Sequence, residues 1–173
     1  GGGANQWALP YIHLTYDPST PHLMAKWQPR YQAIRNANIV LANIDNLNAS
    51  DAKKNMYQAE AQFIRAASYV MLYQWFGPVP LRSSVDDPLE IGRASDQEMR
   101  TFIEDELLEV IGNPDLPEFG DQPAYGRAHK DAARAYLAWF YLNTKQWQKA
   151  ADITRDIIDN NKFGLYPSYS DMF

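Results

Sequence analysis

The chain has 173 residues, 46% of them apolar and 21% charged, enough apolar content to bury a core as one domain. Sixteen basic against twenty-one acidic side chains leave a net charge of −5, so there is no overall basic field to hold a phosphate backbone, and nucleic acid is excluded as the expected partner. The absence of cysteine excludes disulfides, thiolate metal sites and a cysteine nucleophile within these residues. Arg65, Gln74 and Arg134 interrupt the densest apolar stretches before any reaches the roughly twenty residues that span a bilayer.

Gly1, Gly2 and Gly3, followed by Ala4 and Asn5, have neither the charged start and apolar core of a signal peptide nor the look of a folded start. Up to residue 28 the pattern is broken by Pro10, Pro18 and Pro21, which predicts an irregular loop segment over 1–28 carrying Trp7, Tyr11, Tyr16 and Trp27. Pro29 is acceptable at a helix start, and Ile34, Ala37, Leu41 and Ile44 recur at steps of three and four, so a first helix is expected from Pro29 to about Leu47. Ser50 or Asp51 can cap a second, in which Ala59, Phe63, Ala66, Val70 and Tyr73 repeat at helical spacing until Gly77 and Pro78 stop it. Three prolines and two glycines between Gly77 and Ala94 predict an extended connection.

Ser95 with Glu98 reads as a capping box. It opens a third helix whose stripe of Met99, Phe102, Ile103, Leu107, Val110 and Ile111 faces inward, opposite Glu104, Asp105 and Glu109. After a proline-rich loop, a fourth helix is expected from about Ala128 to Thr144 and a fifth from about Gln146 to Asn161. Charge divides unevenly. Residues 1–86 carry seven bases and five acids, net +2, while 87–173 carry nine bases and sixteen acids, net −7, expected to be solvated helix surface.

Leu137, Ala138 and Tyr141 on the fourth helix, then Trp147 and Ala150 on the fifth, have the spacing of the tetratricopeptide repeat, in which small residues let two antiparallel helices approach and aromatics lock the turn. Thr154 and Lys162 depart from that pattern. Ala59, Phe63 and Ala66 repeat its second half. The expected fold class is therefore all-α, antiparallel helix pairs of tetratricopeptide-like type over 29–173. The aromatic run of Tyr166, Pro167, Tyr169, Met172 and Phe173 has no fading polar tail, and the domain is expected to continue beyond residue 173.

Three stretches together resemble the SusD/RagB family of bacterial nutrient-binding surface lipoproteins: YQAIRNANIVLANI from Tyr31 to Ile44, AEAQFIRAASYVMLYQWFGPVPL from Ala59 to Leu81, and Gly126 to Phe173 with its closing LYPSYSDMF. The second is the most specific, joining an AEAxFxRA helix to a WFGxVPL exit. The resemblance implies a helical scaffold carrying variable loops. It implies a location on the outer face of the outer membrane, held by a lipidated cysteine that these residues do not contain. It also implies capture of an oligosaccharide or peptide nutrient for a SusC-like, TonB-dependent transporter barrel.

Aromatics make up 13% of the chain, and flat rings stack on the apolar faces of a pyranose while polar groups pair with its hydroxyls. Phe63, Tyr73, Trp75, Tyr136, Trp139 and Trp147 lie at helical spacing and are assigned to core and helix-pair packing. Trp7, Tyr11 and Tyr16, in the proline-broken segment, are the candidate ligand-binding residues, with packing under the rest of the protein as the rival assignment. Glu60 and Arg65 are five apart, off the spacing of a direct helical pair, so each is expected to serve a different neighbour. Asn36, Asn38, Asn43 and Asn46 are expected to tie loops to helices through backbone bonds.

No catalytic residue, cofactor or metal is expected. His13, His22 and His129 show no metal spacing, no G-x-S-x-G, P-loop or G-x-G-x-x-G occurs, and Glu104, Asp105, Glu106 and Glu109 read as a solvated helix face rather than a glycosidase pair. The function expected is nutrient binding without catalysis. The alternatives are a repeat scaffold that binds only protein, or part of a glycan-degrading enzyme whose active residues lie elsewhere.

Overall fold

A computed structural model describes residues 8–17 and 20–172; Trp7 lies outside them. Among the described residues every regular element is helical: α1 (Leu9–Ile12), α2 (Pro21–Asn43), α3 (Asp51–Phe76), α4 (Asp96–Gly112), α5 (Lys130–Asn143) and α6 (Trp147–Asp159). None of these is long and apolar enough to cross a membrane.

The longest helix, α3, is the centre. It packs against α2, α4 and α5, while α4 also packs on α5 and α5 on α6. Its run of Ala59, Ala61, Ala66 and Ala67 keeps the backbone close to its neighbours, and Tyr69, Val70 and Leu72 fill the space between them. Ile34 enters this core from α2, Met99, Ile103, Leu107 and Val110 from α4, and Ala133, Leu137, Phe140 and Tyr141 from α5. Rings meet edge-on at Tyr69–Phe102 (5.5 Å) and Phe63–Tyr136 (5.5 Å), an arrangement the ring quadrupole favours.

The ends follow local chemistry. The Ser95 hydroxyl accepts the Glu98 N–H at 3.2 Å and Glu98 accepts the Ser95 N–H at 2.8 Å, so the expected capping box opens α4. At the end of α3, Gly77 takes φ 67° and ψ −152°, its N–H bonded to the Tyr73 carbonyl, and a side chain there would be strained.

Helix α2 begins at Pro21, eight residues before the start expected at Pro29, which lies inside the helix. Residues 21–28 are therefore helical rather than irregular. Tertiary packing outweighs the lost hydrogen bond at Pro29, because the same turns present Trp27 edge-on to Phe76 (5.1 Å) and 4.9 Å from Tyr31.

The α5–α6 pair has the tetratricopeptide-like arrangement, with Leu137, Tyr141 and Ala150 buried between its helices. Trp147 does not lock the turn as expected; it is 60% exposed, and Trp75, also assigned to packing, is 51% exposed. Polar groups close the turn instead. The Thr144 hydroxyl donates to the Phe140 carbonyl at 2.8 Å and accepts from Gln146 Nε2 at 2.9 Å.

Candidate functional site

Between α3 and α4 the chain runs as an extended strap, residues 77–94, closed at its base by the Ala94 N–H bonding the Val79 carbonyl at 3.1 Å. Side chains fasten it to the helices. Tyr31 donates to the Pro80 carbonyl at 2.7 Å, and the Tyr69 hydroxyl accepts the Arg82 N–H at 2.6 Å. Asn38 Nδ2 donates to the Arg82 carbonyl at 3.2 Å, and Arg65 Nη1 to the Ser83 carbonyl at 2.8 Å. Burial pushes the Tyr69 phenol up to about 12 and raises that of Tyr31, so both stay protonated at neutral pH.

Arg65 is the hub of this fastening. Its Nε and Nη2 meet both carboxylate oxygens of Glu106 at 2.8 and 2.6 Å, and Nη1 also reaches Asn38 Oδ1 at 2.7 Å. The Arg65 and Glu106 side chains are 8% and 9% exposed. Glu106 is thus not on the solvated face to which the sequence assigned it: it lies three residues past Ile103 and four before Val110, on the inward stripe. Glu60 serves a different partner, Arg127, as the five-residue spacing implied.

One flank of the strap forms a cleft of about 370 Å³ with the segment before α2. Residues 9–15 close on themselves, the His13 N–H bonding the Leu9 carbonyl and the Thr15 N–H that of Pro10, with Leu14 at φ 53°. The reversal brings the Tyr16 ring onto Tyr11, stacked at 5.7 Å with 21° between planes. Tyr16, 51% exposed, and Asp17 form one wall; Met24 and Trp27 of α2, Phe76 and Arg93 form the other. Arg93 is held in place by donating to the carbonyls of Phe76 (3.1 Å) and Pro78 (2.8 Å).

A second cleft of about 450 Å³ adjoins it along α2, lined among others by Tyr31, Arg35, Asn38, Arg82 and Asp87. The Trp27 ring of the first cleft and the Tyr31 ring of the second are 4.9 Å apart. Partly exposed rings beside fixed polar groups suit a ligand with apolar faces and hydroxyl edges.

The structure thus brings Tyr11 and Tyr16 together, and of the two Tyr16 lines the cleft, whose other wall the sequence assignment omitted. The missed residues are Trp27, Phe76 and Arg93; the spacing of Trp27 and Tyr31, four apart on one helix, was the signal for the first. Two further carboxylates of α4 have structural partners: Glu104 accepts from Tyr141 (2.9 Å) and Lys149 (2.6 Å), and Glu109 from Gln62 (2.8 Å). Asn38 ties the strap to α2 as expected of an inward asparagine, whereas Asn43 bonds within its own helix, to Ile39. His129 caps α5, its Nδ1 accepting the Ala132 N–H at 3.1 Å.

A SusD-like family model, described as starch-binding and associating with outer membrane, matches residues 4–142. SusD-like protein P2 of Formosa agariphila is 32% identical over 154 residues, which cover 86% of this chain and 30% of that protein. Among solved structures, a SusD superfamily protein from Parabacteroides distasonis aligns with a TM-score of 0.83 at 27% identity, covering 94% of this chain and 36% of that one. A laminarin-binding SusD-like protein aligns with a TM-score of 0.80 at 27% identity, covering 91% and 35%. The chain spans 28–30% of the length of the curated relatives it matches.

Proposed function

The chain belongs to the SusD-like family, and from that membership we propose that it forms part of a cell-surface protein that captures an oligosaccharide without altering it and passes it to a TonB-dependent outer-membrane transporter. The observation that carries this reading is the Tyr16 ring, stacked on Tyr11 and lining the cleft with Trp27, Phe76 and Arg93. A pyranose lies flat on such rings while its hydroxyls meet Asp17 and the rim. The laminarin-binding relative supports a glycan as the ligand class.

Capture without cleavage is supported by the engagement of Glu104, Glu106 and Glu109 in bonds that hold the helices together. The location that goes with this function is the outer face of the outer membrane, through a lipid anchor outside these residues. Stiff packed helix pairs suit contact with a large partner such as the transporter, and the loops suit the ligand.

Calorimetry of the full-length protein with a panel of laminarin, xyloglucan and other oligosaccharides, beside a peptide panel, tests the reading. Micromolar or tighter binding to at least one glycan, with the sugar recovered intact by product analysis, is expected. No binding to any glycan overturns it, and release of shorter products overturns the carrier role.

A further inference from the structure

On α3–α6 and their loops, Arg65, Arg100, Arg127, Arg134, Lys149 and Lys162 each pair with a carboxylate, while Lys53, Lys54, Lys130, Lys145 and Arg155 do not among the described residues. On α2 and the strap, Lys26, Arg30, Arg35, Arg82 and Arg93 have no carboxylate partner among the described residues. Lys26 lies over the Trp75 ring at 5.5 Å, and Arg82 and Arg93 donate to backbone carbonyls. Arg35 makes no hydrogen bond at all among the described residues, and it is exposed in the second cleft.

The charged lining of that cleft is Arg35, Arg82 and Asp87, net +1 in a chain of net charge −5. The one carboxylate is engaged by the strap itself: Asp87 Oδ2 accepts the N–H groups of Ser83 and Ser84 at 2.7 and 2.9 Å. Asp86 and Glu90 are exposed on the strap and do not line the cleft. A partner-free planar fork in a cleft with a second guanidinium is matched by an anionic oxygen group, which the fork meets with two parallel hydrogen bonds.

We propose that this cleft holds the anionic group, a uronate carboxylate or a sulfate ester, of the glycan whose sugar rings stack in the Tyr16–Trp27 cleft, with Arg35 as the residue that sets the preference for charged sugars. The proposal rests on the glycan-capture reading. Trp27 lines one cleft and Tyr31 the other, with their rings 4.9 Å apart, so the oligosaccharide must be long enough to span both. The guanidinium is solvent-facing, so its contribution falls as salt screens it.

Calorimetry on the full-length protein tests this with three probes: oligogalacturonate for the carboxylate, sulfated galactan oligosaccharide for the ester, and laminarin oligosaccharide as the neutral comparator. One of the two acidic probes should bind more tightly than laminarin and weaken between 50 and 500 mM NaCl, at least threefold. Arg35→Gln should weaken the acidic probe about tenfold, the scale of one lost charge-assisted contact, and Arg35→Lys should recover part of that loss. Arg155→Gln, which removes a cation from α6, should leave binding unchanged; melting curves confirm that each variant is folded. Binding of laminarin alone, or acidic-probe binding indifferent to Arg35→Gln, overturns the subsite and leaves glycan capture standing. Binding of none of the glycans overturns both.

Discussion

Replacing Arg65 with Met removes one guanidinium and strands several acceptors at once. Glu106, 9% exposed, is left as a buried carboxylate without its counter-charge, and Asn38 Oδ1 and the Ser83 carbonyl each lose a donor. Breaking a buried ion pair by deleting one partner costs about 3–5 kcal/mol, and the two neutral acceptors place this substitution toward the upper end. The double variant Arg65→Met, Glu106→Met buries no charge and keeps side-chain volume, so only the Asn38 and Ser83 acceptors remain unmet, at about 1–2 kcal/mol together. Urea denaturation followed by circular dichroism measures the parent, Arg65→Met, Glu106→Met and the double variant. The single variant should lose more stability than the double, and trypsin should cut after Arg82 faster in the single variant because the strap has lost its hub. A single-variant cost below about 1 kcal/mol, or a double-variant cost equal to the sum of the two single substitutions, refutes the account of a buried, mutually dependent pair.

Tyr11→Ala and Tyr16→Ala should each weaken glycan binding in calorimetry while leaving the melting temperature within a few degrees of the parent, since Tyr16 lines the cleft, Tyr11 stacks on it, and neither belongs to the main core; unchanged affinity in both removes them from the site. Phe63→Ala should cost about 2–3 kcal/mol, less than the range for a fully buried ring, because Phe63 is only partly buried against Tyr136; denaturant midpoints check it. Ser95→Ala removes one half of the capping box and should cost about 1 kcal/mol by the same measurement. His129 caps α5 only when Nδ1 is unprotonated, and burial lowers its pKa from 6.5. That stabilisation is complete above pH 6.5 and is lost as pH falls through the lowered folded value, so melting temperatures from pH 8 to pH 5 should fall more steeply in the parent than in His129→Asn, whose side-chain oxygen caps at every pH.

The helices could be read from spacing because α3, α4 and α5 each bury one face on neighbours, and the signals at Ser95 and Gly77 are local chemistry, whereas Ser50 stands at the start of α3 without a side-chain bond to it. The start of α2 could not. Pro29 weighs against a helix interior on local grounds, and only the packing of Trp27 on Phe76, between residues far apart in sequence, reverses that balance. Glu106 shows a different failure. Its charge argued for solvent while its spacing argued for the core, and the arbiter, Arg65, lies 41 residues away. At the candidate site, Tyr11 and Tyr16 were legible as rings that no helical period explains. The opposing wall was not, since Phe76 and Arg93 reach it only through the Gly77 turn and the strap.

The fastening of the strap bears on how quickly and how durably a ligand is held. Ordering a loose backbone consumes about 1–2 kcal/mol per residue. Here the Arg82–Ser84 stretch is already immobilised by Tyr69, Asn38 and Arg65. A sugar arriving at this surface freezes little that was moving, so more of its contact energy survives as affinity. Differences among ligands then fall on how slowly each one leaves.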